Sequence, residues 1–234
     1  MSTVQGSWRG YGIVRDGLVL YLDASSPNSY NSNFGPTTWK DISGNGNNGT
    51  LVNGPVYSST NGGSIVFDGS DDYVSTNYIT NSTAFTYCVW GKSSSTGYPN
   101  RILGNANALN GLSGAGIIWG MPAINRIWFT RRIGLNNSTR DIITSDISNF
   151  SGNWHYIVAT YDSVNGSKLY CDNILVGSNT TTGFISSLNL NIGRDGNGAD
   201  AFRGDIPSVQ IYNRALSAAE VLQNYNATKG RFGL

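Results

Sequence analysis

Hydrolytic chemistry needs paired carboxylic acids, or a nucleophile beside a base, and this chain is poor in both. It has one glutamate, Glu220, and one histidine, His155. Glycoside hydrolysis by two carboxyl groups requires one protonated and one ionised acid facing each other across the sugar bond. Glu220 closes Ser217-Ala218-Ala219-Glu220, the spacing of a helix capping box, so its carboxylate already has a partner and a paired-glutamate mechanism is excluded. An aspartate pair stays open. His155 sits in Trp154-His155-Tyr156, where strand alternation explains it structurally, and no Gly-rich phosphate loop precedes a helix.

Binding chemistry is better represented. Sugar sites stack a ring face on an aromatic side chain and hold hydroxyls with Asp, Asn and Arg. By loop position the candidates are Asp71, Asp72, Arg101, Asn105, Trp119 and Trp128. Each also has a plainer use, the tryptophans as core or sheet-face aromatics and Asp71-Asp72 as the brace of their own turn. Asp41, Ser43 and Asn45, followed by Gly46, imitate the first half of a calcium loop. Val52 stands where that loop needs a bidentate Glu and the flanks are not helical, so these side chains are expected to cap a turn. No metal and no cofactor is expected.

The rest of the composition narrows the partners. Net charge is +1, so no strong field draws the chain to nucleic acid or an anionic membrane, and Arg131-Arg132, the one basic doublet, reads as a solvated loop or strand end. No apolar run approaches the roughly 18 residues of a membrane span. The start, MSTVQGSWRG, lacks a signal-peptide core, and the chain is expected to be soluble. Cys88 and Cys171 read as small buried hydrophobes, with an inter-strand disulfide left open.

The elements that must position these residues are short strands and tight turns, as the 30 glycines and abundant Asn, Ser and Thr imply. Residues 1–16 read as an extended arm, free to pack on its own domain or on a neighbour, before one domain at 17–234. Leu18 to Asp23 is an unbroken apolar strand, covered on both faces and central in its sheet. Ser64 to Ser75 reads as a β-hairpin turning at Asp68-Gly69. Phe85 to Lys92 is apolar on both faces and belongs inside one of two packed sheets. Lys168 to Asp172 and Ile174 to Gly177 form a hairpin around Asp172-Asn173, and Pro207 predicts an edge or a bulge in the last strand. A short helix after Ser217 caps the sandwich, with Leu216 and Val221 as its staple. No long-period repeat supports a propeller or solenoid.

Five runs in order, DGLVLYLDA at 16–24, WKDISGNGNNGTL at 39–51, FDGSDDYV at 67–74, NWHYIVATYD at 153–162 and FRGDI with IYNRALSAAEV at 202–221, resemble a laminin-G-like domain of the concanavalin A-like lectin/glucanase superfamily. The resemblance implies an all-β, two-sheet antiparallel jelly-roll sandwich (concanavalin A-like) with one short C-terminal helix. It also implies binding of sugars or proteins by sheet and rim. The run at 210–234 is similar to those in virion proteins of tailed bacteriophages. Pro207-Ser208 stands where relatives carry an acidic pair. The resemblance thus points to a non-enzymatic virion surface protein, a capsid decoration or tail component. Its partners would be phage structural proteins and cell-surface or extracellular glycans, with homo-oligomers compatible. The alternative is a free lectin-like module; a glycan-active enzyme ranks last.

Overall fold

A computed structural model of the chain describes residues 12–80, 83–94, 100–105, 115–119, 126–133, 139–147, 151–183, 189–194 and 201–234. The strands are β1 Leu18–Asp23, β2 Thr38–Trp39, β3 Gly49–Val52, β4 Val56–Ser58, β5 Ser64–Asp68, β6 Tyr73–Ile79, β7 Ala84–Ser93 and β8 Asn100–Gly104. They continue as β9 Ala115–Trp119, β10 Arg126–Ile133, β11 Thr139–Asp146, β12 His155–Asp162, β13 Gly166–Cys171, β14 Ile174–Asn179, β15 Asn189–Ile192 and β16 Arg203–Tyr212, before the helix α1 Ala218–Thr228. Among the described residues no helix is long and apolar enough to cross a membrane.

The strands form two antiparallel sheets. The first runs β14-β13-β12-β7-β16-β5-β4 with β1 added on β16, and the second runs β11-β10-β9-β8-β15-β6-β3-β2. Alternation along each strand sends one set of side chains between the sheets. Leu20, Leu22, Phe85, Tyr87, Val89, Ile157, Val209 and Ile211 of the first sheet meet Trp39, Val74, Leu103, Ile117, Phe129 and Ile192 of the second in one core. This is the sandwich that the sequence predicts.

A second core lies on the other side of the first sheet. Cys88, Trp90, Tyr156, Val158, Tyr170 and Tyr212 point away from the second sheet and are covered by Ile13, Val14, Leu216 and Val221, with Tyr225 and Phe232 packed on. The helix is held there by its capping box: Ser217 Oγ accepts from Glu220 N–H, and Glu220 Oε2 accepts from Ser217 N–H at 2.8 Å. Leu216 and Val221, the predicted staple, are both buried. The arm, where described, packs on its own domain. Val14 N–H donates to Asn224 Oδ1 at 2.8 Å, and the Tyr212 hydroxyl donates to Val14 O at 3.0 Å. Residues 1–11 of the arm, and 106–114 of the loop after Asn105, lie outside the described residues.

Four expectations need correction or sharpening. Ser64–Ser75 is not a hairpin: β5 pairs with β4 and β16 in the first sheet, whereas β6 pairs with β3 and β15 in the second. The segment arches between sheets, so that Ile65 and Phe67 enter the core from one side and Val74 from the other. β1 is covered on both faces, as predicted, but among the described residues it pairs only with β16. Pro207 does mark a bulge, a register shift between Asp205 and Ser208, in a strand that lies inside the sheet. Arg131 is fully buried, not solvated. Alternation turns it inward with Ile127 and Phe129, its guanidinium 3.8 Å above the Tyr161 ring and donating to the carbonyls of Thr181 and Gly183.

Candidate functional site

Among the described residues no α-helix covers the outer face of the second sheet; the one α-helix covers the first. Cross-strand register arranges that face in rows. Thr130, Gly116, Gly104, Asn191, Ser75, Thr50 and Thr38 are successive neighbours across β10, β9, β8, β15, β6, β3 and β2. The row is made of hydroxyls, an amide and two bare glycines. Beside it runs Thr144, Trp128, Ile118 and Arg101, and the Gly193 N–H bond to Ile102 O, 2.7 Å, carries this row on toward Arg194 and Tyr73.

Arg101 is positioned by what its neighbours lack. Its side chain lies over the two glycines: a Cβ at Gly104 would stand 3.2 Å from Arg101 Cδ, and one at Gly116 would stand 2.9 Å from Nη1. The side chain therefore lies against the sheet, and Arg101 is only 6% exposed. A bulge between Arg101 and Leu103 lets Ile102 and Leu103 both enter the core while Arg101 stays on the outer side. At the far side of the same face Arg194 sits 3.3 Å over the Tyr73 ring. Among the described residues Arg194 Nε and Trp128 Nε1 have no hydrogen-bond partner.

The arch between β5 and β6 supports this end of the face. Asp72 is buried and its Oδ2 accepts from Asp68 N–H at 3.0 Å, while Asp71 is exposed at the rim. Burial pushes the Asp72 carboxyl above its usual range; the Asp68 and Asp71 carboxylates push the same way, against the Asp68 N–H bond. Carboxylate oxygens of Asp68, Asp71 and Asp72 lie within 4.8 Å of one another, a grouping that acidic turns often make without an ion.

Asn105 is 1% exposed and clamps β8 to β9, its Oδ1 accepting from Ala115 N–H at 2.6 Å. Trp119 stands on β9 with its backbone paired to Asn100 and Ile127; its side chain lies outside the described residues. Of the predicted residues, then, Arg101 and Trp128 share one row of the outer face, Asp71 lies at its rim, and Asp72 and Asn105 brace its edges. The sequence reading missed Tyr73, Arg194 and the paired glycines. The signal for the glycines was their isolation inside strands, which marks a close approach. The ring contact of Arg194 has no local signature.

The other chemistry-bearing residues are committed elsewhere. Glu220 Oε1 meets Arg214 Nη2 at 2.6 Å, and Arg214 holds the carboxyl down at about 2, so the only glutamate stays ionised and occupied. Asp41 accepts from Tyr21 N–H, Ser43 N–H, Ser43 hydroxyl and Asn47 N–H, all at 2.8–2.9 Å, which makes the half calcium loop a knot of turn-capping bonds. Cys171 and Asp172 both face the same His155 nitrogen, Nδ1, so the imidazole cannot relay a proton between them as a catalytic triad does. Cys88 and Cys171 are free thiols in different cores on opposite faces of the first sheet, which rules out their disulfide.

Residues 68–222 match the family described as concanavalin A-like lectin/glucanases superfamily. Among similar solved structures is the botulinum neurotoxin serotype D ligand binding domain in complex with N-acetylneuraminic acid. The match has a TM-score of 0.71 at 16% identity and covers 92% of this chain and 52% of that one. The receptor binding domain of botulinum neurotoxin type G gives 0.67 at 17%, covering 90% and 51%. The binding domain of paraclostridial mosquitocidal protein 1 gives 0.69 at 18%, covering 91% and 52%. The chain thus spans about half the length of these domains, and at such identities the likeness is one of fold. No curated protein matches the sequence.

Proposed function

We propose that this chain, which belongs to the concanavalin A-like lectin/glucanases superfamily, is a non-catalytic carbohydrate-binding module that takes glycan on the outer face of its second sheet. The observation that carries the reading is that face itself, a row of hydroxyl and amide positions, with Arg101 laid over its two glycines, flanked by Trp128 and the Arg194–Tyr73 stack. A sugar ring stacks on Trp128, and its hydroxyls bond to the polar row. The Arg194 guanidinium favours a glycan that carries a carboxylate. A similar fold solved with N-acetylneuraminic acid supports that choice. Asp71, Trp128, Tyr73 and Arg194 are the proposed contacts, and the buried Arg101, Asp72 and Asn105 position them. Trp119, on the strand between those of Arg101 and Trp128, stays in the proposed set.

Calorimetry with neutral and sialylated oligosaccharides tests the reading. Binding that falls at least about 10-fold in Trp128→Ala and in Arg194→Ala, roughly the 1.4 kcal/mol of an aromatic or charge-assisted contact, is expected. Binding indifferent to both, or none to any glycan, would refute it. We further place the module on a phage particle, as a capsid decoration or tail component; the support is the resemblance of residues 210–234 to virion proteins. Mass spectrometry of purified particles decides this, since absence of the chain removes it.

A further inference from the structure

The edge of the sandwich where β12 begins gathers donor atoms that the glycan face does not use. His155 Nδ1 stands 2.6 Å from Asp172 Oδ2 and 3.7 Å from Cys171 Sγ, and Sγ stands 3.8 Å from Oδ2. Register brings them together: His155 opens β12, Cys171 ends the neighbouring β13, and the Asp172-Asn173 turn, with φ of 49° and 69°, sends Asp172 back over β12. Asp172 Oδ1 is fixed by Tyr156 N–H at 2.8 Å, leaving Oδ2 toward the other two. His155 and Cys171 are buried, and with Asp146, Ile147 and Ile174 they line a cleft of about 310 Å³.

We propose that His155 Nδ1, Cys171 Sγ and Asp172 Oδ2 form a three-ligand site for a thiophilic divalent cation, with Zn²⁺ the best fit and a water in the fourth position facing the cleft. Tetrahedral zinc with bonds of about 2.0–2.3 Å separates its ligand atoms by roughly 3.3–3.6 Å. The two distances to sulfur already lie within about 0.3 Å of that range, and the nitrogen–oxygen distance must open by about 0.7 Å. That short contact is a proton held between the two atoms, and the cation takes the proton's place. The displaced proton passes through solvent to Nε2, leaving a neutral imidazole with Nδ1 free to ligate, and the thiol proton leaves to solvent. One thiolate, one imidazole and one carboxylate suit zinc, whereas Ca²⁺ and Mg²⁺ take oxygen donors. A bound cation would tie the start of β12 to the β13–β14 turn.

The test uses the untagged, reduced, metal-free full chain. Co²⁺ should bind one to one and produce the near-ultraviolet charge-transfer band of a cobalt–thiolate bond, and Zn²⁺ should displace it and raise the melting temperature. Cys171→Ser should abolish the band. His155→Gln and Asp172→Asn should weaken Zn²⁺ by more than the roughly 10–100-fold that loss of an outer-shell partner costs. Cys88→Ser, in the other core, should keep the band. Absence of the band in the folded wild type, or its loss in Cys88→Ser but not in Cys171→Ser, overturns the proposal. If Cys171→Ser fails to fold, the wild-type spectrum with Asp172→Asn decides.

Discussion

The two sheets of this sandwich share one core and differ in what they do with their outer faces. The first sheet turns Trp90, Tyr156, Tyr212 and Cys88 outward, and residues 12–17 together with α1 close over them to make a second core. The second turns outward threonines, a serine, an asparagine, paired glycines and a few aromatic and guanidinium groups. An apolar outer face must be covered to be stable, so it becomes structure. A polar outer face is already satisfied by water, so it is free to exchange that water for a ligand. In the proposed reading the helix marks the face that does not take glycan.

Substitutions can break this contrast from either side. The largest effect belongs to Trp90→Ala. Trp90 is fully buried, stacks with Tyr225, packs against the tilted ring of Phe232, and donates to Thr228 Oγ1 at 2.8 Å. Its removal should cost about 3–5 kcal/mol in denaturant unfolding, while the molecules that remain folded bind glycan normally. Gly116→Ala should cost about 1–3 kcal/mol and also weaken glycan binding, because its Cβ would stand 2.9 Å from both Arg101 Nη1 and Leu103 O. Ser217→Ala removes the helix cap and should lower stability by about 1 kcal/mol, with sugar affinity untouched.

Acid probes the same cap. The Glu220 carboxyl is held at about 2 by Arg214, against 4.5 as its ordinary value. A depressed carboxyl adds stability that is complete above pH 4.5 and is lost as pH falls toward 2. Arg214→Met should flatten stability over that window, measured by chemical unfolding at stepped pH. The smallest effect has the opposite sign. Asp72→Asn keeps an acceptor for Asp68 N–H and removes one of three crowded carboxylates, so a gain of a few tenths of a kcal/mol is expected near neutral pH. Because the Asp72 carboxyl is raised, that gain should shrink as acid protonates it in the wild type.

Local pattern made some of this legible and hid the rest. Strand alternation in β7, the capping box at Ser217 and the two-residue turn at Asp172-Asn173 are each set by neighbours in sequence, and all three are found as predicted. The arch at Asp68–Asp72 was misread because strand, turn and strand look alike whether the second strand pairs with the first or crosses to the other sheet. Only the distant partners, Arg203 for β5 and Leu51 for β6, distinguish the two. The proposed binding face was half legible. Arg101 and Trp128 have the right chemistry, but their shared row depends on register across β8, β9 and β10, and the seat for Arg101 is built of side chains that are absent.

The most direct test of the account is a nuclear magnetic resonance titration of the labelled protein with a sialylated oligosaccharide, following the six indole N–H signals and the backbone amides. Shifts at Trp128 and along β8, β9 and β10, with Trp90, Trp154 and α1 unmoved, are the predicted result. Shifts that gather on Trp90, Trp154 and the helix, with β10 silent, would contradict it and move the site to the covered sheet.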